Sequence, residues 1–325
     1  MSVNYLHRPR LKRPYMLAAW PGIGYVATSV AVYIKEVLGA EELAEIEPYE
    51  FFRPNSVLVK NNVISVQEIS ENPLPQSKFY YWKNKSSDHD LIIFVGEAQP
   101  LGREWEFAHL IMDVARRFKV EKIFTSAAAV ASISYSQQPA VWAAATHSRL
   151  LNYLKHFNVV LRDKIKVDGL NGLLLGVAKD ESIDGICLLG EVPFYIAQLE
   201  IEYPKSSKAI LEVLSEMLEI TVDMDNINQL VDHAESEMKE LEEEVIHKMG
   251  QIVIYPQDGE DELAEGDEVK IGEVSPAVRQ KIEQLFEQAG KDKSKAGQLK
   301  LELDRWKVFD EYEDRFLNIF RKMGA

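Results

Sequence analysis

The sequence has a single cysteine and no long apolar run, and each shortage excludes a class of protein. Cys187 cannot form an internal disulfide, so a disulfide-stabilised scaffold is excluded and a reducing compartment, the cytoplasm, is expected. No stretch reaches the roughly 18 consecutive apolar residues of a membrane span. The most apolar candidate, residues 127–145, is interrupted by serine, glutamine and proline. No membrane association is therefore expected.

Metal ligands and activated nucleophiles are also scarce. The seven histidines form no H-x-x-x-H pair and have no cysteine partners, so neither a metal site nor a cofactor is expected. Ser126 and Ser132 follow a predicted strand, but neither lies in the G-x-S-x-G turn that exposes a nucleophilic serine. Whether the protein is an enzyme stays open, and a non-catalytic role is favoured.

Basic residues become rare towards the C-terminus, where the chain is strongly acidic. The net charge is −15, and residues 232–268 contain fourteen acidic and two basic side chains, which account for −12 of it. Contacts with nucleic-acid phosphates need Lys and Arg, so this distribution argues against nucleic-acid binding. We interpret the acidic stretch as a solvated helix face followed by an acidic loop.

Short apolar runs alternate with amphipathic helical stretches through the first two thirds of the chain. Strands are predicted at residues 15–20, 91–96, 122–125, 140–146 and 185–190, and helices at 25–38, 105–119, 148–157, 173–179 and 204–219. This alternation is typical of βαβ units. We therefore expect a three-layer α/β/α fold with a mixed, mostly parallel sheet, of the phosphorylase or hydrolase type. A hairpin is expected across Asn61 and Asn62, with residues 79–83 as a third strand of that local sheet.

The last third of the chain differs in character and predicts an α-helical extension. We divide the chain into a core domain at residues 1–222 and an acidic helical extension at residues 223–325. The extension is expected to begin with a long helix whose apolar stripe contains Ile227, Leu230, Ala234, Met238, Leu241 and Val245. Two further helices are predicted near residues 276–288 and 298–322. The last one carries an aromatic stripe that must be buried against this domain or another subunit, and it consists of Leu299, Leu303, Trp306, Phe309, Tyr312, Phe316 and Phe320.

A glycine-rich turn follows the first predicted strand. Residues 22–27 formally fit the G-x-G-x-x-A dinucleotide fingerprint, and Gly22 and Gly24 could direct backbone N–H groups at a phosphate. The alternative is that the glycines only permit a tight strand-to-helix turn. The bulky Trp20 before the turn makes a nicotinamide cofactor a poor fit, so a small-ligand or anion site is the better interpretation.

Two buried strands end with a glutamate just beyond the predicted carboxyl edge of the sheet, where open α/β sheets bind ligands. These are Glu97 and Glu191, and Ser126 follows a neighbouring strand. Two close carboxylates could divide into an acid and a base. Alternatively, each glutamate caps a helix or pairs with an arginine such as Arg103. Gly22, Gly24, Glu97, Ser126 and Glu191 are the candidate ligand-binding residues.

Four motifs occur in an order that is similar to one known family. They are Trp-Pro-Gly-Ile-Gly at residues 20–24, Gly-Glu-Ala-Gln-Pro at 96–100, Gly-Leu-Asn-Gly-Leu-Leu at 169–174 and Leu-Gly-Glu-Val-Pro at 189–193. Together they resemble the proteasome assembly chaperone family in its archaeal and bacterial branch, over roughly residues 14–244. The resemblance implies a three-layer fold similar to that of nucleoside phosphorylases.

The resemblance also implies a role. Eukaryotic and some archaeal relatives act as non-catalytic assembly factors for proteasome α-subunits, and several dock through a C-terminal hydrophobic-tyrosine-any tail. This chain ends Phe-Arg-Lys-Met-Gly-Ala, so docking by that tail is not expected. Two hypotheses remain: an assembly-chaperone-like scaffold acting as a homo-oligomer, with a protein partner at its C-terminal helices, or a phosphorylase- or hydrolase-type protein with a small-molecule site at the carboxyl edge.

Overall fold

In a computed structural model of the chain, a mixed sheet lies between two layers of helices. The structure describes residues 3–53, 57–60, 63–66, 74–162, 164–199 and 201–249, with eight single positions between 282 and 315. The strands are β1 (Val3–Tyr5), β2 (Tyr15–Ala19), β3 (Glu41–Ile46), β4 (Val57–Lys60), β5 (Val63–Val66), β6 (Ser77–Trp82), β7 (Leu91–Gly96), β8 (Lys122–Ala131), β9 (Val141–Ala145), β10 (Val160–Leu161) and β11 (Asp184–Pro193). The helices are α1 (Val26–Val37), α2 (Glu104–Phe118), α3 (Arg149–Leu154), α4 (Leu170–Asp180), α5 (Phe194–Leu199), α6 (Pro204–Met217) and α7 (Asp225–Met249).

The large sheet has nine strands in the order β1-β3-β6-β7-β2-β8-β11-β9-β10. Its four central strands, β7, β2, β8 and β11, run parallel, and antiparallel pairs flank them on both sides. Because the central strands are parallel, the loops that follow all four leave at the same edge. The predicted three-layer α/β/α fold with a mixed sheet is confirmed.

Side chains alternate between two apolar cores, one on each face of the sheet. Leu17 and Ala19 of β2 belong to the core beneath α1 and α6, whereas Met16 and Ala18 belong to the core beneath α2 and α4. Strands covered on both faces are apolar throughout, which explains the uninterrupted apolar sequence of β7. The two cores hold the central strands rigidly, so their carboxyl ends are fixed relative to one another.

The predicted hairpin forms, but its predicted third strand belongs elsewhere. β4 and β5 pair antiparallel with Lys60 opposite Val63, and they form a sheet of two strands. β6 instead joins the large sheet between β3 and β7, so the assignment of residues 79–83 to the local sheet was wrong. The reason is burial, because Phe79 is fully buried and its ring lies 4.7 Å from the ring of Phe94 on β7.

The long helix α7 packs on the core through an apolar face and through an ion pair with a buried lysine of α6. Of the predicted stripe, Ile227 and Met238 are buried, Ala234 is half-buried and Leu230 is exposed, and Val231 is buried beside them. Leu241 and Val245 lie outside the residues whose side chains the structure describes. Lys205 of α6 is buried, and its Nζ donates to the carbonyl oxygen of Tyr135 at 2.8 Å. The same ammonium pairs with Glu235 of α7 at 2.5 Å. These contacts explain why the start of α7 lies against the sheet domain.

The chain divides into two compact units, Met1–Ile254 and Tyr255–Ala325. α7 lies in the first unit, and the division at residues 222/223 stays a prediction. In the second unit, the described positions of both predicted helices are helical, which confirms a helical C-terminal extension. The Phe286 and Tyr312 rings lie 5.7 Å apart. Arg315 forms a bidentate ion pair with Glu283, in which Nη1 donates to Oε1 at 2.6 Å and Nη2 donates to Oε2 at 2.5 Å.

Most of the predicted aromatic stripe of the last helix lies outside the described residues: Trp306, Phe309, Phe316 and Phe320. Tyr312 is the described aromatic member, and it contacts Phe286 from the preceding helix. The guanidinium of Arg315 lies 4.3 Å from the centre of the Phe286 ring, so Arg315 makes a cation–π contact in addition to its ion pair.

Among the described helices, none combines the length and hydrophobicity needed to span a membrane.

Gly190 provides a test of how closely α6 packs on the sheet. A Cβ at this position would lie 2.1 Å from Oγ of Ser206 and 3.1 Å from Cδ1 of Ile210, so Gly190→Ala should push α6 away from β11. We expect the free energy of unfolding to fall by about 1–3 kcal/mol, as for other overpacked cores. Urea unfolding measures this loss.

Gly176→Ala is the matched control, because an added Cβ there meets nothing within 4 Å and the residue is exposed on α4. Alanine is a better helix former than glycine, so this variant should be as stable as the parent or more stable by up to about 1 kcal/mol. Equal stability of the Gly190 and Gly176 variants would contradict the close packing of α6.

Candidate functional site

The four sequence motifs meet at the carboxyl edge of the sheet. The first follows β2, the second follows β7, the third begins α4, and the fourth is the end of β11. The chain leaves β2 through α1 on one face and leaves β7 through α2 on the other. A crevice opens where parallel strands connect in opposite directions, and it is the usual ligand position in open α/β sheets.

Asn171 connects the first and third motifs inside the protein. Its Oδ1 accepts a hydrogen bond from the backbone N–H of Trp20 at 3.2 Å, and its Nδ2 donates to the Trp20 carbonyl oxygen at 3.4 Å. Asn171 and Trp20 are both buried, at 4% and 0% exposed. The amide therefore replaces a neighbouring strand at the end of β2, where the backbone groups would otherwise be left without partners.

Gln99 connects the second motif to the first and third motifs. Its Nε2 donates to the carbonyl oxygen of Pro21 at 2.9 Å, and its Oε1 accepts the N–H of Leu170 at 2.9 Å. Gly169 has φ +72°, and an added Cβ would lie 2.6 Å from Oε1 of Gln99. Glycine is required at this position both by the backbone conformation and by the approach of the glutamine.

A cleft of about 480 Å³ lies beside this junction. Its floor is formed by small or apolar side chains at the ends of β8 and β11, including Ala127, Ala129 and Leu189. The loop before α4 forms one wall and includes Ile165 and Val167. The glycine turn after β2 and the half-buried indole of Trp142 complete the lining. Its size is in the range of known small-molecule sites, about 300–1,000 Å³.

The rim of the cleft is basic, although the chain as a whole is acidic. Lys164 and Lys166 line it, with Asp168 as the acidic residue of the same loop. Lys166 pairs with Asp168 at 2.8 Å, and their side chains are 84% and 76% exposed, so water competes strongly with this ion pair. Arg162, just before the loop, lies 4.6 Å above the Trp142 ring.

The PAC2 family model matches residues 16–242, which include all four motifs. The chain belongs to the PAC2 family. It is 25% identical over 243 residues to the uncharacterised protein MJ1210 of Methanocaldococcus jannaschii, a match that covers 73% of this chain and 87% of that protein. The predicted family is therefore confirmed.

Two solved structures from Pyrococcus furiosus share the fold. PbaB, an archaeal proteasome activator, is 28% identical with a TM-score of 0.61, and the match covers 74% of this chain and 98% of PbaB. PbaA, an archaeal homologue of proteasome-assembly chaperone, is 19% identical with a TM-score of 0.56, and the match covers 77% of this chain and 95% of PbaA. PbaB is thus matched along nearly its whole length, whereas about a quarter of this chain lies outside that match.

The two predicted glycines of the PAC2 domain have different surroundings. Gly22 lines the cleft, and an added Cβ there would meet nothing within 4 Å. Gly24 has φ +63°, and an added Cβ would lie 3.3 Å from both Ile196 and Tyr203. Gly24 thus allows the turn and the close packing of α5, whereas Gly22 leaves the backbone of the cleft wall accessible.

The structure does not bring the predicted glutamates and serine together in the cleft. Glu97 is exposed and accepts the N–H of Gln76 at 2.8 Å. Glu191 is buried and accepts the N–H of Ala140 at 3.0 Å and the indole N–H of Trp142 at 2.9 Å. Ser126 is fully buried within β8. Glu191 thus contributes by holding Trp142, and ligand binding by these residues stays a prediction.

A second hollow of about 550 Å³ lies at the opposite, amino edge of the sheet. Its polar side chains bind one another: Lys12 pairs with Asp88, and the Ser87 hydroxyl donates to Glu219 at 2.6 Å. Nearby, burial lowers the pKa of Lys122, whose Nζ lies 4.0 Å from the centre of the Tyr153 ring. Burial also raises the pKa of Tyr153 to about 12. These contacts stabilise the amino edge.

Cys187 is a core residue of β11. It is 2% exposed, and burial raises the pKa of its thiol to about 11, so the thiol stays protonated at neutral pH. Among the described residues, no group of three or more His, Cys, Asp or Glu side chains is arranged to hold a metal ion.

Gln99 and Asn171 are predicted from the sequence only as members of the motifs, and Lys164 and Lys166 are not predicted at all.

The contribution of Asn171 can be measured by replacing it with alanine. Asn171→Ala leaves the buried N–H of Trp20 without its partner, so the free energy of unfolding should fall by about 1–3 kcal/mol. Asn152→Ala is the control, because Asn152 is exposed on α3 and should change stability by less than about 0.5 kcal/mol. The two variants would unfold at the same urea concentration if the Trp20 contact contributed nothing.

Proposed function

We propose that this PAC2 protein is a non-catalytic, assembly-chaperone-like or scaffolding protein that binds proteasome α-subunits in the cytoplasm. The observation that carries the proposal is the match to PbaB, which covers 98% of that proteasome activator at 28% identity. PbaA, a homologue of proteasome-assembly chaperone, has the same fold. Two proteins of this fold are thus a proteasome activator and a homologue of proteasome-assembly chaperone.

The use of the motif side chains supports a scaffolding role. Gln99 and Asn171 bond to the backbone of the protein itself, and Glu191 holds a backbone N–H and the Trp142 indole. These polar atoms join loops and stabilise the shape of one edge of the domain. Binding to a partner protein requires a fixed surface shape, and it requires no reacting group at these positions.

The C-terminal extension is the proposed site of partner binding. The family match ends at residue 242, so the unit Tyr255–Ala325 is an addition to the shared domain. Within it, the pair Arg315–Glu283 and the contact between Phe286 and Tyr312 join the two described helical segments.

Native mass spectrometry of the full chain mixed with purified proteasome α-subunits tests the proposal. We expect a complex with the parent protein and weaker binding for Arg315→Glu, because this change puts two like charges together between the helices. Glu283→Arg combined with Arg315→Glu reverses the ion pair and should restore binding. No complex with the parent protein would reject the proposed partner, and unchanged binding by Arg315→Glu would remove the extension from the interface.

We also propose that the protein is a homo-oligomer. Leu101, just before α2, is 92% exposed, and Trp105 in its first turn is 52% exposed, which is unusual for residues of this size and apolarity. Sedimentation velocity at micromolar concentration should show a species larger than the 37.1 kDa chain. Leu101→Ser with Trp105→Ser should shift it towards the monomer, whereas Leu230→Ser, at an exposed position of α7, should not. A parent protein that sediments only as a monomer would refute this proposal.

A further inference from the structure

We infer that the carboxyl-edge cleft binds a small organic anion. Its charged group would contact Lys164 and Lys166 at the rim, and its apolar or aromatic body would lie on the floor formed by β8 and β11. The inference does not depend on a proteasome partner, because it uses a different part of the molecule from the C-terminal extension.

The cleft exists because β8 carries alanines where strands normally carry larger residues. Ala127, Ala128 and Ala129 all line it, although β-branched and aromatic residues are favoured in strands. Leu189 of β11 lies opposite Ala127 in the register, and it supplies the larger apolar surface of the floor. A branched side chain at Ala127 would project into this space, so the small residues keep the cleft open.

The charges around the cleft select the sign of the ligand. Its lining has two lysines and one aspartate, in a chain whose net charge is −15. Lys164 makes no ion pair with any residue that the structure describes. The Lys166–Asp168 pair is exposed, so it contributes little to stability and Lys166 can turn to a ligand at small cost. The rim therefore favours a phosphate or a carboxylate over a cation.

The two amide side chains of the lining, Gln99 and Asn171, are already bonded to the backbone of the protein. The first N–H of α4, that of Leu170, is bound by Gln99, and the Asn171 amide is bound to Trp20. The helix N-terminus is thus not the feature that would hold the anion. The apolar floor, the two lysines and the accessible backbone at Gly22 carry the inference. A mostly apolar cavity with a few polar groups at one end is the usual form of a small-molecule site.

Isothermal titration calorimetry on the full chain tests the inference with four probes. AMP and indole-3-acetate each combine an aromatic body with an anionic group, a phosphate in one and a carboxylate in the other. Adenosine lacks the anion, and inorganic phosphate lacks the body. We expect AMP or indole-3-acetate to bind with one site per chain, and adenosine and phosphate to bind at least about tenfold more weakly. The comparison of AMP with indole-3-acetate shows whether the cleft prefers an aromatic phosphate or an aromatic carboxylate.

Three variants test where the ligand binds. Lys164→Gln with Lys166→Gln should weaken binding at least about tenfold, because charge-assisted contacts are lost. Lys85→Gln with Lys12→Gln removes two charges at the amino edge and should leave binding unchanged. Ala127→Leu should abolish binding by filling the floor, with circular dichroism to confirm that the variant is folded. Absence of binding by both AMP and indole-3-acetate at millimolar concentration would overturn the inference, as would equal binding by the parent and the Lys164/Lys166 variant.

Discussion

The amide bonds of Asn171 and Gln99 are the interactions on which the carboxyl edge of this PAC2 protein depends. They tie the turn after β2 to the start of α4, across 151 and 78 residues of sequence. Beyond the end of β2, the backbone groups of Trp20 and Pro21 have their partners in the Asn171 and Gln99 side chains rather than in a neighbouring strand. Because these partners are side chains of two different segments, the edge can form only when all of its motifs have folded together.

Close backbone packing around the same junction depends on glycine. A Cβ at Gly96 would lie 2.6 Å from the Trp20 indole, and one at Gly172 would lie 2.3 Å from the carbonyl oxygen of Val167. The second contact brings the wall loop of the cleft onto α4. Of the two glycines that suggest a phosphate-binding turn in the sequence, Gly24 serves packing against Ile196 and Tyr203, and Gly22 lies at the cleft.

Much of the fold could be predicted from the sequence because its central strands and helices carry local signals. β7 is a continuous apolar run, and α2 has a clear amphipathic period, so both were predicted to within one residue. β3 was missed because its acidic residues Glu41, Glu42 and Glu45 hide the pattern of an edge-region strand. The pairing of β6 with β3, which lies before the hairpin in the chain, could not be predicted, since strand pairing over long distances leaves no local signal. Lys164 and Lys166 lie in a loop without periodicity, and their position at the cleft arises only from tertiary packing.

Glu191 has a different place and role from those that the sequence predicts. The sequence predicts this glutamate just beyond a buried strand, next to the expected ligand position, and suggests acid–base chemistry, whereas the residue is part of β11. In the structure, its two oxygens accept from the Ala140 N–H and the Trp142 indole, and only 9% of the residue is exposed. A carboxylate with both oxygens occupied by donors is held in place, and it in turn holds Trp142. Its contribution to the cleft is therefore to fix one wall, so that the shape of the site depends on a residue that lies behind it.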